Sequence, residues 1–301
     1  MKILLVPDVP NWAFDRDADA IIKYLPQYQI TKKFNRSVRG RDLKGYDIVH
    51  FMNWSEGARF SDKVSGGVSS HNHEMRSDSK HAEFFPKFKG LIATSKKLFE
   101  SIKSYNKNSF CAQGGVHEDV FLPHVKENRK TFTVGWVGQA GGPVDIKGYE
   151  KYLKPLVKSL SPFGDIEFEI LSNSYKRAQP YSEMPEFYKS VDVQICTSKA
   201  EGAPNPMFEA ASSAKALIST DVGAISELIE EGVNGYVVKF DGDVVNEMRS
   251  KILYLYKNRD HCLKMGQESR RIVEEGWTWK KRAQNWIPFF ERLGEKNAQK
   301  N

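Results

Sequence analysis

Only three cysteines occur in 301 residues, Cys111, Cys196 and Cys262, and they lie tens of residues apart. Such spacing supplies neither a metal-ligand pair nor an even set for a disulfide framework, so a reducing compartment is expected. Long apolar runs are also missing. The first one, Ile3 to Val6, is closed by Pro7 and Asp8, far short of a signal-peptide core or a membrane span. It reads as a buried strand, and the chain as cytoplasmic. No internal repeat is found, and no low-complexity tract beyond the polar tail at 294–301, so neither a solenoid nor a biased-composition class is supported.

What the chain does have is core material: 40% apolar residues, with 18 Phe, 12 Tyr and 6 Trp. A chain of this length outgrows one hydrophobic core, so two domains are expected. The formal charge of +7 is concentrated in the first 125 residues, chiefly around Lys32, Lys33, Arg36, Arg39, Arg41 and Lys44. A basic surface rewards anionic lipid, a lipid-linked phosphate or nucleic acid in the same way. Charge does not choose among them, and nucleic acid is the least favoured on the other signals.

Apolar patterning predicts strands at 2–6, 46–51, 67–70, 91–94 and 110–112, with helices at 17–25 and 96–105 between them. Alternation of this kind implies a parallel sheet covered by helices. A polar stretch at 124–130 reads as a linker. Beyond it, strands at 131–137, 166–171, 191–196, 216–220 and 235–239 alternate with helices at 149–160, 185–190, 206–215 and 224–230, a second doubly wound unit. The expected division is 1–125 and 126–280, with a last helix at 281–301 returning to the first domain.

The richest segment follows the strand at 191–196. Asn205 is a good helix N-cap and Pro206 a good first helical residue, so a helix is expected to start just past the carboxyl end of a parallel strand. Open α/β sheets bind ligands there, and free amides at a helix start favour an anion such as a diphosphate. Glu201 lies in the preceding loop and Glu209 one turn into the helix. Carboxylates repel phosphates but accept hydrogen bonds from vicinal hydroxyls, so each glutamate suits one sugar ring. Taken as a bare pair, the two are more readily explained as helix-dipole compensation.

The flanking residues say more. Glu201-Gly202-Ala203-Pro204-Asn205 through Glu209-Ala210 resembles the E-x7-E motif of the retaining glycosyltransferases of family 4. The stretch Met184 to Val193, the stretch Ile218 to Val238 and the segment Gly114 to Pro123 are similar to further parts of that family. The resemblance implies the GT-B fold, an α/β architecture of two Rossmann-like domains facing a cleft. It also implies that Glu209 holds the ribose and Glu201 the donor sugar, with Gly202, Ala203, Pro204, Asn205 and Pro206 near the sugar and phosphates. Lys147, behind the glycine-rich segment from Gly138 to Gly142, matches the family's phosphate lysine. Gln139 stands where the family carries an arginine, and a neutral amide compensates phosphate less well than a guanidinium fork, unless Lys199 substitutes. Gly138, Ser172 and Thr197 complete the expected donor-binding set. The glycine segment does not fit G-x-G-x-x-G, which argues against a nicotinamide or flavin.

His71 and His73 follow a first-domain strand. By the family pattern His71 is the cleft histidine near the reacting sugar, and the pair lacks the third ligand a metal site needs. The aspartate pairs at 15–17, 17–19 and 241–243 read as a helix start and a turn rather than a metal site. Phe84, Phe85 and Phe88, interleaved with lysines, read mainly as core, with headgroup docking as the alternative. The expectation is therefore a metal-independent transferase using a UDP- or GDP-sugar as co-substrate and a glycan, lipid-linked or other hydroxyl as acceptor. Peripheral contact with an anionic inner membrane face is compatible with the basic domain. The alternatives are a sugar-nucleotide epimerase on the same fold and a non-catalytic sugar-nucleotide or nucleic-acid module.

Overall fold

Short runs, buried on both faces in the central strands and partly exposed at the edges, build two separate parallel sheets. The computed structural model describes residues 1–69, 78–124, 130–141, 144–172 and 180–298. The first sheet comprises β1 (Lys2–Val6), β2 (Gln29–Lys32), β3 (Ile48–Phe51), β4 (Ser65–Val68), β5 (Leu91–Ala93) and β6 (Ser109–Cys111), in the order β2-β1-β3-β4-β5-β6. The second comprises β7 (Phe132–Gly138), β8 (Ile166–Ser172), β9 (Val193–Cys196), β10 (Ala216–Thr220) and β11 (Gly235–Val238), in the order β11-β10-β9-β7-β8. Each sheet reverses its strand order at one point, between β1 and β3 in the first and between β7 and β9 in the second. Such a switch point opens a crevice at the carboxyl ends of the two strands.

The chain divides into two units. The first contains Met1–Gly115, Glu201–Ala203 and Trp279–Asn301, and the second Val116–Ala200 and Pro204–Thr278. Their boundary falls before the polar stretch at 124–130, because the residues after Gly115 are tied into the second unit. The amide of Val116 donates to the Trp277 carbonyl at 2.9 Å. Phe121 is fully buried against the rings of Tyr181 and Tyr188, and its carbonyl accepts from Ser212 Oγ at 2.8 Å.

In the first unit, Trp279, Trp286, Phe289, Phe290 and Leu293 from the C-terminal helical segments join Ile3, Leu5, Ile21 and Ile48 in one core. Those segments are Trp279–Arg282, Ala283–Trp286 and Ile287–Ala298, rather than one helix beginning at 281. Phe85 and Phe88 are buried in the second core of the same unit, so two of the three lysine-flanked phenylalanines are structural. In the second unit Trp136, Leu153, Leu156 and Ile195 pack with Met248, Ile252 and Leu255 of the helix Val244–Lys257.

Several elements differ from expectation, and three of the differences have a clear local cause. β2 leaves little hydrophobic pattern in the sequence, because Gln29–Lys32 is an edge strand only half buried. β4 begins at Ser65 instead of 67, since Gly66 and Gly67 pack tightly against Trp54 and the Met52 carbonyl, a closeness only glycine permits. The helix expected at 206–215 spans Asn205–Ser212 and is stopped by Ala214 in the left-handed region at φ 58°. Among the described residues no helix is long and apolar enough to cross a membrane.

Candidate functional site

The crevice of the second sheet is framed by the segment leaving β7 and the segment leaving β9, and hydrogen bonds stitch the two together. Trp136 in β7 is fully buried, and a buried indole N–H needs an acceptor. Its Nε1 donates to Thr197 Oγ1 at 2.9 Å, and that hydroxyl donates onward to the Lys147 carbonyl at 2.7 Å. The amide of Lys199 donates to the Ile146 carbonyl at 2.7 Å. Gly148 completes the seam. Its φ is 66°, and a Cβ there would lie 2.0 Å from the Thr197 carbonyl oxygen. Thr197 is fully buried, and its hydroxyl joins β7 to the Lys147 loop.

Asp145 organises the other side of the Lys147 loop. It accepts from the amides of Glu150 and Lys151 at 3.2 and 3.0 Å and lies 3.4 Å from Lys199 Nζ. Burial alone would raise this carboxyl, but the amides of Lys151 and Glu150 and the Lys199 ammonium outweigh it and hold it below the usual carboxylate range. The helical segment after the loop opens with a wide turn, Tyr149–Leu153, before regular helix at Lys154–Leu160. Lys199, which stood as the substitute for a missing arginine, thus spends part of its charge on Asp145.

Gly138 ends β7 buried against the Trp136 ring, where a Cβ would approach to 2.7 Å. Gln139 is exposed and Lys147 half buried. Ser172 Oγ accepts from the Ala140 amide at 3.2 Å, anchoring the start of the loop to the end of β8. Gly142 and the histidines His71 and His73 lie outside the described residues.

The helix Asn205–Ser212 starts one residue before expectation. Pro204 occupies the cap position, with the Met207 amide donating to its carbonyl at 2.9 Å, and no side chain caps the helix. Asn205 is therefore the first helical residue and not the cap, and Pro206 the second. Glu209 follows one turn later and is 6% exposed. Its Oε2 accepts from the hydroxyl of Tyr188 at 2.8 Å. Tyr188, on the helix Met184–Ser190, is completely buried. Spacing located Glu209, whereas Tyr188 carried no signal of a role, because the pair is 21 positions apart.

Glu201, Gly202 and Ala203 count with the first unit and not with the other expected donor residues. The reason is local to Gly202, where a Cβ would lie 1.6 Å from the Ser69 carbonyl oxygen and 2.5 Å from Thr94 Oγ1. Only a glycine can be so close to the ends of β4 and β5.

Two further charged groups have protein partners of their own. Asp243 caps the helix Val244–Lys257 by accepting from the Asn246 amide, and among the described residues no group of His, Cys, Asp or Glu is arranged to hold a metal. In the basic cluster, Lys32 pairs with Asp15 and Asp19, and Lys33 with Asp42. A cavity of about 150 Å³ does exist in the second unit, lined by Phe132, Asp192, Lys215 and Arg259. It sits at the amino ends of β7, β9 and β10, the opposite end from the Lys147 and Thr197 loops, and so is not the crevice of the switch point.

Comparison with known proteins agrees with this geometry. Residues 121–258 match the family model described as Glycosyl transferases group 1. Spore coat protein SA of Bacillus subtilis (strain 168) is 28% identical over 111 residues, covering 36% of this chain and 29% of that protein. An uncharacterized glycosyltransferase of Methanocaldococcus jannaschii is 21% identical over 217 residues, covering 68% of this chain and 60% of that protein. The chain thus spans less than two thirds of the length of either relative. The crystal structure of Anabaena HepE in complex with UDP-glucose superposes with a TM-score of 0.66 at 14% identity, over 99% of this chain and 100% of that one. The fold is GT-B. Within this GT-B chain the family match takes in β7 to β11 and every loop of the second unit's crevice.

Proposed function

We propose that this chain is a retaining glycosyltransferase of the family 4 type. It would take a sugar from a UDP- or GDP-sugar and pass it to a hydroxyl of a glycan, lipid-linked or other acceptor. The observation that carries the reading is the stitched crevice at the β7/β9 switch point. It presents Lys147, the loop after Thr197 and the start of the helix at Asn205 at the carboxyl ends of parallel strands. The group 1 glycosyltransferase match over this region and the UDP-glucose bound by HepE support the same donor chemistry.

In this reading the bond between the sugar's C1 and the diphosphate oxygen breaks while negative charge gathers on the diphosphate. Lys147 and the amides near Pro206 neutralise that charge, so no metal is called for. Glu209 accepts hydrogen bonds from the ribose hydroxyls, and Glu201 from hydroxyls of the donor sugar. The exposed Gln139 supplies a neutral contact in place of a guanidinium. On the first unit, Arg36, Arg41 and Lys44 remain exposed and fit peripheral contact with an anionic inner membrane face.

The test is NMR observation of nucleotide-sugar consumption by wild type and by Glu201→Ala. Release of nucleotide by wild type with a retained anomeric configuration in the product supports the reading. Glu201→Ala should lower turnover much more than nucleotide affinity. Interconversion of the donor sugar with no nucleotide released would instead mark an epimerase.

A further inference from the structure

Glu209 could lie in several rotamers on its helix, and a carboxylate that reads a diol must be held in one of them. One group that holds it is on a different helix. The Tyr188 hydroxyl lies 2.8 Å from Glu209 Oε2 and 3.2 Å from the Pro206 carbonyl, so its single proton bridges the side chain and the first turn of the helix that carries it. The phenol ring has no room to turn away. It is completely buried, packed edge-on against Phe121 at 5.8 Å and Phe187 at 5.1 Å. Phe121 is itself fixed through its carbonyl by Ser212 and Arg270 at 2.8 and 2.9 Å. Burial, and then the charge of Glu209, push the phenol well above its ordinary range, so it stays a neutral donor at physiological pH.

We infer that Tyr188 is a positioning residue that locks the Glu209 carboxylate for a ribose diol, making the site selective for ribonucleoside over 2′-deoxyribonucleoside diphosphates. The inference rests on the proposed donor reading, in which Glu209 meets the ribose. One oxygen of the carboxylate accepts from Tyr188, which fixes the rotamer in which the group would meet the sugar edge. A carboxylate built to accept from a hydroxyl discriminates against a ligand lacking it, because its lone pairs are then buried without a partner. A carboxylate free to rotate finds other partners and discriminates less. Two residues therefore set one specificity, and only one of them touches the ligand.

The experiment is a set of calorimetric titrations of UDP and 2′-deoxy-UDP into wild type, Tyr188→Phe and Glu209→Gln, with a thermal melt of each. Phenylalanine keeps the ring and its packing on Phe121 and Phe187. Wild type should prefer UDP by about tenfold or more. In Tyr188→Phe the preference should collapse towards that of Glu209→Gln while the protein still melts cooperatively. A merely structural tyrosine would weaken both nucleotides equally and leave their ratio intact, and that result would overturn the inference while leaving the donor reading standing. Absence of any preference in wild type would mean that Glu209 does not meet the ribose, and would sink the donor role itself.

Discussion

Gly148→Ala is the most informative single change to the crevice. The residue sits at φ 66°, and its Cβ would come within 2.0 Å of the Thr197 carbonyl oxygen and 2.7 Å of Tyr152. Holding alanine in the left-handed region costs about 1–2 kcal/mol. Relieving the clash needs a backbone shift of roughly 1 Å or more to restore van der Waals separation. Such a shift pulls apart the Thr197–Lys147 and Lys199–Ile146 hydrogen bonds, each worth about 0.5–1.5 kcal/mol net. The total is about 3 kcal/mol, or a fall in Tm of roughly 6–12 °C for a unit of this size. Thermal melts and urea titrations measure the loss, and UDP calorimetry measures the effect on the Lys147 loop, where affinity should also fall. A variant melting within about 2 °C of wild type, with UDP affinity unchanged, would refute the idea that the two loops are locked together at this point.

Thr197→Val keeps the shape but strands the Trp136 indole N–H and the Lys147 carbonyl, and should cost about 2 kcal/mol in urea denaturation. An unchanged midpoint would show that the relay carries no weight. Lys147→Ala should reduce UDP affinity while leaving uridine affinity alone; an unaltered ratio of the two would remove Lys147 from the diphosphate. His50 is fully buried between Trp286 and Phe289, with Nδ1 3.0 Å from Ser65 Oγ, and burial pushes its pKa down to about 3. The folded state refuses a proton that the unfolded chain accepts below its ordinary pKa. The stabilising difference is therefore present above pH 6.5 and is lost as pH falls towards 3. At pH 5 wild type should be less stable by about 2 kcal/mol on this account alone, and His50→Gln should show a correspondingly shallower acid loss. Equal slopes for the two proteins would contradict it.

How far the sequence alone reached depends on whether the signal was local. β1 was legible because Ile3, Leu4, Leu5 and Val6 form one apolar run, all of it buried, whereas β2 carries its polar residues on an edge. The double-wound arrangement of both units follows from strand and helix alternation, and Glu209 follows from spacing against a helix start. Tyr188, Asp145 and the Trp136–Thr197 seam were not legible, because each acts through a partner brought near only by folding. Asp145 acts on amides five and six residues on, but nothing in its neighbours distinguishes it from any loop aspartate. Gly148 shares its positive φ with Gly141, and only the closeness of Thr197, which folding brings about, marks it as irreplaceable. The assignment of Glu201–Ala203 to the first unit was equally hidden, since Gly202 gives no sign in sequence of the Ser69 carbonyl beside it.

Titration calorimetry of UDP and GDP against wild type and Glu209→Ala tests the donor site most directly. One of the two nucleotides should bind wild type, and Glu209→Ala should weaken that binding by about tenfold or more, as expected for loss of a charge-assisted pair of hydrogen bonds. Failure of both nucleotides to bind wild type at millimolar concentration would contradict a nucleoside-diphosphate site at the ends of β7 and β9.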